Sequence, residues 1–92
     1  MKGGTALHWA AYYGCEWAMN YLLAWESEGI NHPDNEGLTP LHLGSMSGNS
    51  RVVKRLLIKG ADRNIKDNKG FLPSDIAKEN EYTNIERMLI DR

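Results

Sequence analysis

Thr5-Ala6-Leu7-His8 recurs 34 positions later as Thr39-Pro40-Leu41-His42. A third, eroded copy, Leu72-Pro73-Ser74-Asp75, follows 33 positions after that. Repetition at such a period constrains the fold more than any composition does, because each unit can bury its apolar side only against the next. The second half of each unit repeats too. Gly14 leads to the pair Leu22-Leu23 and Gly48 leads at the same spacing to Leu56-Leu57. In the third copy Glu81 replaces the glycine, and Leu89-Ile90 hold the apolar pair. Between units, Asn31 to Gly37 matches Asn64 to Gly70 at four positions. One extra residue within Trp25–Gly29 accounts for the longer first spacing.

Each unit has a physical reading of its own. Thr39 suits a helix N-cap, since its hydroxyl can accept a backbone N–H of the first turn. Pro40 fits the first helical position, where a missing N–H costs nothing. Gly14 and Gly48 are placed to end the first helices in a left-handed conformation. A second helix is expected from Ala18, Met19, Leu22 and Leu23, and from Val52, Val53, Leu56 and Leu57, each an apolar stripe at helical spacing. Gly60 stops the second of these, and Asp67 to Gly70 carry turn chemistry.

The segments TALHWAAYYG, TPLHLGSMSG and LLIKGADRNIKDNKG resemble ankyrin repeats, and the resemblance spans nearly the whole chain. It implies an all-α repeat solenoid of about three helix-turn-helix units joined by hairpin-like turns, in approximate bounds 1–37, 38–70 and 71–92. Ala6 stands where the motif has proline. Gly44 stands where it has alanine, at a cost of about 1 kcal/mol in helix propensity unless something packs closely there. The third unit carries Asp75, Lys78, Glu79, Glu81, Asn84, Arg87 and Asp91, a polar surface suited to closing a stack. The first unit, rich in Trp9, Tyr12, Tyr13 and Trp17, is read as beginning directly at its first helix without a cap. The chain is therefore expected to be the C-terminal portion of a longer array.

Chemistry is sparse. A single cysteine, Cys15, permits no internal disulfide and fits a reducing, cytoplasmic setting. It lies near a helix start, which can lower a thiol's pKa, but no base or oxyanion site accompanies it. His8 and His42 belong to the repeated motif, where the resemblance implies structural bonding, and one repeat separates them, so no metal site is expected. His32 is read as an exposed turn residue. No phosphate loop, catalytic triad order or paired-cysteine zinc spacing occurs, so the chain itself is read as a non-enzyme without cofactor. The longest apolar stretches are too short to span a membrane.

Charge is unevenly distributed within a net −1. Residues 1–50 carry a balance of −4 and residues 51–92 one of +3. Arg51, Lys54, Arg55, Lys59, Arg63, Lys66 and Lys69 form a basic run broken only by Asp62 and Asp67. A solvated outer helix face is the plain reading of that run. An acidic partner or a lipid headgroup is the functional one, and nucleic acid is not expected.

The resemblance implies a binding role on the turn tips and the exposed side of each first helix. Carried over by position, the candidate partner-binding residues are Trp9, Tyr12, Tyr13, Asn35, Glu36, Leu38, Met46, Lys66, Asn68, Lys69 and Phe71, with Pro33 and Ser47 beside them. Leu38 and Phe71 are expected as exposed apolar anchors. Trp9 fits either the core or a groove wall, and Trp25 is expected to pack under its loop. The implied function is capture of a partner protein or extended peptide by a monomer. A rival follows from LHWA, LLIKGADRNIKDNKG and PSDIAKEN, which are also similar to the ankyrin portion of DHHC-type protein acyltransferases. That reading would place the chain on the cytosolic face of a membrane, recruiting substrate. Asn64, with Asp62 two residues before it, resembles turn asparagines that are hydroxylated in such repeats, against a plain structural role.

Overall fold

The structure is a computed structural model that describes residues 2–25 and 27–90, the side chains of Ser27 and Glu28 aside. Among the described residues six α-helices run in pairs: α1 (Ala6–Tyr13) with α2 (Glu16–Trp25), α3 (Pro40–Ser47) with α4 (Ser50–Ile58), and α5 (Pro73–Glu79) with α6 (Thr83–Ile90). A short 3-10 helix covers Ser27–Asn31, where the extra residue of the first unit falls. No strand occurs among the described residues. Helices α1, α3 and α5 pack in one row and α2, α4 and α6 in a second, so the expected three-unit solenoid is the observed one.

The central helix explains why the stack holds. Flanked on both sides, α3 buries Pro40, Leu41, His42, Leu43, Gly44 and Ser45 in succession. A helix apolar or satisfied all round belongs inside. Ser45 fits because its hydroxyl donates to the Leu41 carbonyl at 2.8 Å. Gly44 has the close neighbours its composition demanded. A Cβ there would stand 3.2 Å from Val52 Cγ1 and 3.3 Å from Val53 Cγ2, so the β-branched pair of α4 fills the space that an alanine would need. Counterpart positions Ala10 and Ala77 do carry the methyl and are buried.

Two repeated sets of bonds are among those that join consecutive units. The Thr39 N–H donates to His42 Nδ1 at 3.1 Å, and the Thr39 hydroxyl lies 2.8 Å from the same nitrogen. That leaves the proton on Nε2, which donates to the Phe71 carbonyl of the next unit at 2.9 Å. His8 repeats the arrangement with Thr5 and reaches the Leu38 carbonyl at 2.8 Å. At the turn tips the Asn35 N–H donates to the Lys2 carbonyl, and the Asn68 N–H to the Glu36 carbonyl. Lys2 to Gly4 thus form the second half of a turn equivalent to 36–38. This corrects the expectation that the first unit starts directly at its helix.

The third unit departs in several ways. Asp75 accepts the Leu72 N–H at 2.9 Å, replacing the local half of the histidine bond. Tyr82 lays its ring over Gly48, within 2.8 Å of where a Cβ would be, which ties the unit to its neighbour. Arg63 donates to the Met88 and Leu89 carbonyls at 3.3 and 3.1 Å, satisfying the C-terminal end of α6. Glu81 takes a left-handed φ of 62°, where Gly14 and Gly48 sit at 68° and 78°. A side chain in that region costs about 1 kcal/mol or more relative to glycine. Glu81→Gly is therefore expected to stabilise the fold by about 1 kcal/mol, read as a higher urea midpoint; an unchanged or lower midpoint would refute the strain. Asp91 lies outside the described residues, but the other polar positions named for this unit are exposed as expected.

Candidate functional site

The turns are built by one side chain each. Asp34 Oδ1 accepts the Glu36 and Leu38 N–H groups at 2.8 and 2.9 Å, and its own N–H donates to the Leu38 carbonyl. Asp67 does the same for Lys69 and Phe71 at 2.9 and 2.8 Å. These Asx-type turns hold each tip out beside the first helix of its unit. The tips and α1, α3 and α5 then enclose a groove.

Two adjoining depressions make up its floor. One, of about 340 Å3, is lined by Trp9, Tyr12, Tyr13, Asp34, Glu36, Leu38, Leu43 and Met46. The other, of about 380 Å3, is lined by Glu36, Leu38, Met46, Asp67, Asn68, Lys69, Phe71 and Ile76. They share Glu36, Leu38 and Met46 and so form one continuous channel. Its first half carries aromatic rings and Asp34, its second half Phe71, Lys69 and Asp67, and Glu36 lines both. The aromatic shelf is ordered by its own contacts. Trp9 and Tyr13 stack at 5.8 Å with 4° between planes, and Tyr12 meets Tyr13 edge-on at 5.2 Å. Trp9, Tyr12, Tyr13 and Phe71 keep 38–68% of their surface exposed, an area large enough to invite a partner.

Several expectations change. Leu38 is buried at 7% exposure and forms floor rather than an exposed anchor; its backbone is drawn in by Asp34 and His8. Trp9 stands on the groove wall, not in the core. Asn68 donates to the Asn35 carbonyl at 3.0 Å, so Asn68 serves the junction between tips as well as the groove, and Asn35 serves the junction. Asn35, Lys66, Pro33 and Ser47 line neither depression. Trp25, expected under its loop, is 76% exposed, because α2 turns that position outward. Arg63, placed with the basic outer run, is instead half-buried against the end of α6. The sequence reading missed Asp34, Leu43, Asp67 and Ile76 as lining residues. The turn aspartates recur 33 positions apart, and that was the available signal. Asn64 is exposed on its turn, its N–H donating to Asp62 Oδ1 at 2.8 Å.

His8 and His42 are structural. Both are fully buried, and burial pushes their pKa below the ordinary 6.5, opposed by the carbonyls they donate to and by nearby Asp34 and Asp67. His32 is exposed and meets His8 edge-on at 6.4 Å. Cys15 is exposed.

The family model for ankyrin repeats matches residues 7–92 in three copies. The chain belongs to the ankyrin-repeat family. Relatives include Palmitoyltransferase AKR1 of Saccharomyces cerevisiae, 44% identical over 61 residues, which are 66% of this chain and 8% of that protein. The Candida albicans protein of the same name is 35% identical over 88 residues, 95% of this chain and 11% of the relative. The ARF GTPase-activating protein Git of Drosophila melanogaster is 32% identical over 76 residues, 83% of this chain and 10% of that protein. The ankyrin stack thus spans about a tenth of the length of the relatives it matches. Among the described residues no helix is long and apolar enough to cross a membrane. Ankyrin repeats are a protein-interaction module type, which fits the groove.

Proposed function

We propose that this ankyrin stack captures an extended segment of a partner protein in its concave groove. The observation that carries this is the exposed Trp9–Tyr12–Tyr13 shelf opening into the channel that ends at Phe71. Rigid aromatic side chains give large contact area at little entropic cost, and such residues dominate interface energetics. Exposed Glu36 where the two halves meet and exposed Lys69 in the second half would set the register of a segment with matching charges. Nothing in this role needs a cofactor or metal.

The test is selection of binders from a random peptide library displayed on phage, repeated against Tyr13→Ala/Phe71→Ala. Both side chains are exposed, so the variant is expected to fold normally. Peptides selected on the native chain should bind the variant roughly thirtyfold or more weakly. Peptides that bind both equally would overturn the groove as the site.

A second reading is favoured by the relatives named palmitoyltransferase. Here the stack is the substrate-recruiting portion of a membrane-bound DHHC-type protein acyltransferase, and its groove holds the protein to be acylated. The coding sequence beyond Arg92 decides it: hydrophobic spans with a cysteine-rich DHHC segment would support it, and a stop or continued polar sequence would sink it. Both readings accommodate a longer array. Ala18 and Leu22 are half-buried where their counterparts Val52 and Leu56 are buried at 1% and 0% exposure, which supports a preceding unit against α2.

A further inference from the structure

The convex side of the stack carries a second surface of different chemistry. Trp17, Tyr21 and Trp25 recur every fourth residue along α2 and so form one stripe. They are 79, 62 and 76% exposed, and the Tyr21 and Trp25 rings lie 6.4 Å apart. Three large rings this open are not needed for the fold.

A further repeat would not cover them. The 34-residue offset places Arg51 and Arg55 of α4 at the positions of Trp17 and Tyr21. Helix α4 already has a preceding unit packed against it, yet Arg51 keeps 83% of its side chain exposed and Arg55 is exposed as well. These positions look outward from the stack whatever precedes them. Beside the aromatic stripe, Arg51–Lys59 contains four cations and no carboxylate. Arg51, Lys54, Arg55 and Lys59 are all exposed, with Ile58 among them at 65%. Among the described residues Glu16 forms an ion pair with this row, engaged by Arg51 at 3.5 Å.

We propose that this convex face docks on an anionic lipid surface. Indole and phenol rings have an apolar body and a polar edge, which suits them to the headgroup boundary. Lysines and arginines near an anionic leaflet add attraction that grows with each cation. The combination of an aromatic row with a cationic row beside it fits a flat, negatively charged, partly apolar partner. The groove lies on the first helices and the turns, so it stays open while the second helices rest on lipid. The lipid-facing reading does not depend on what the groove holds.

The experiment is co-sedimentation with phosphatidylcholine vesicles in which about a third of the lipid is phosphatidylserine, against phosphatidylcholine alone. A Trp9→Phe background leaves Trp17 and Trp25 as the only fluorescent indoles. The expected result is salt-sensitive binding to the anionic vesicles with a blue shift of tryptophan emission. Arg51→Gln/Arg55→Gln should weaken partition roughly thirtyfold. Trp17→Ala/Trp25→Ala should abolish stable association, while Tyr13→Ala/Phe71→Ala should leave it unchanged. Absence of binding overturns the proposal, as does binding without a blue shift. Binding to polyglutamate but not to vesicles would overturn it too, assigning the face to an acidic protein instead.

Discussion

His42→Ala is expected to cost about 3 to 5 kcal/mol of stability, a large part of what a domain this small possesses. The imidazole is fully buried and serves two units at once. Removing it strands the Thr39 N–H and the Phe71 carbonyl and takes away the acceptor of the Thr39 hydroxyl proton, whose oxygen keeps the residue 42 N–H. Each buried orphan costs about 1–3 kcal/mol, and the vacated ring volume adds a cavity. His8→Ala should cost less, because its partner Thr5 is only half-buried where Thr39 is fully buried. Urea denaturation of both variants checks the size and the order. A loss below about 1 kcal/mol at His42 would show that the junction rests on apolar packing alone.

The same two histidines make stability fall with acid earlier than carboxylates would. Folding lowers their pKa below 6.5, chiefly through desolvation by burial. The unfolded chain therefore binds protons first as pH drops. Stability is full above the unfolded pKa and declines as pH falls from about 6.5 toward the folded values, then levels off. The slope can reach about 1.4 kcal/mol per pH unit for each histidine, or about 2.7 for the pair. Geometry supports the sign, since a proton on Nδ1 would displace the threonine donors that point at it. Urea midpoints measured from neutral pH down to about pH 5 should decrease steadily across this window. A flat profile there would contradict the buried neutral state.

Much of this architecture was legible in the residues. The histidine, the helix-ending glycines and the apolar pairs sit at the same place in each unit, and local chemistry turns each into a cap, a stop or a stripe. Gly44 was legible as an anomaly, and its explanation needed the positions of the two valine methyls across the helix pair. The groove was harder. Leu38 and Phe71 occupy equivalent turn positions, yet one is buried and the other exposed, because neighbouring units close over the first and leave the second near an end of the stack. Burial of that kind depends on what stacks next, which no single unit encodes. Trp25 failed for a related reason: an aromatic residue invites the assumption of a core, while the helix phase it shares with Trp17 and Tyr21 points outward.

The paired junction bonds also give the stack a polarity, as head-to-tail monomers give one to a polymer. Every full unit extends a histidine N–H forward and a turn amide backward. Asp75 keeps the bond within its own unit but has no proton to extend. A joint on that side would lack the histidine bond that the two preceding joints have, and would rest on apolar packing and the turn amide. A single substitution at the histidine position thus withholds one donated bond from whatever would stack on that face.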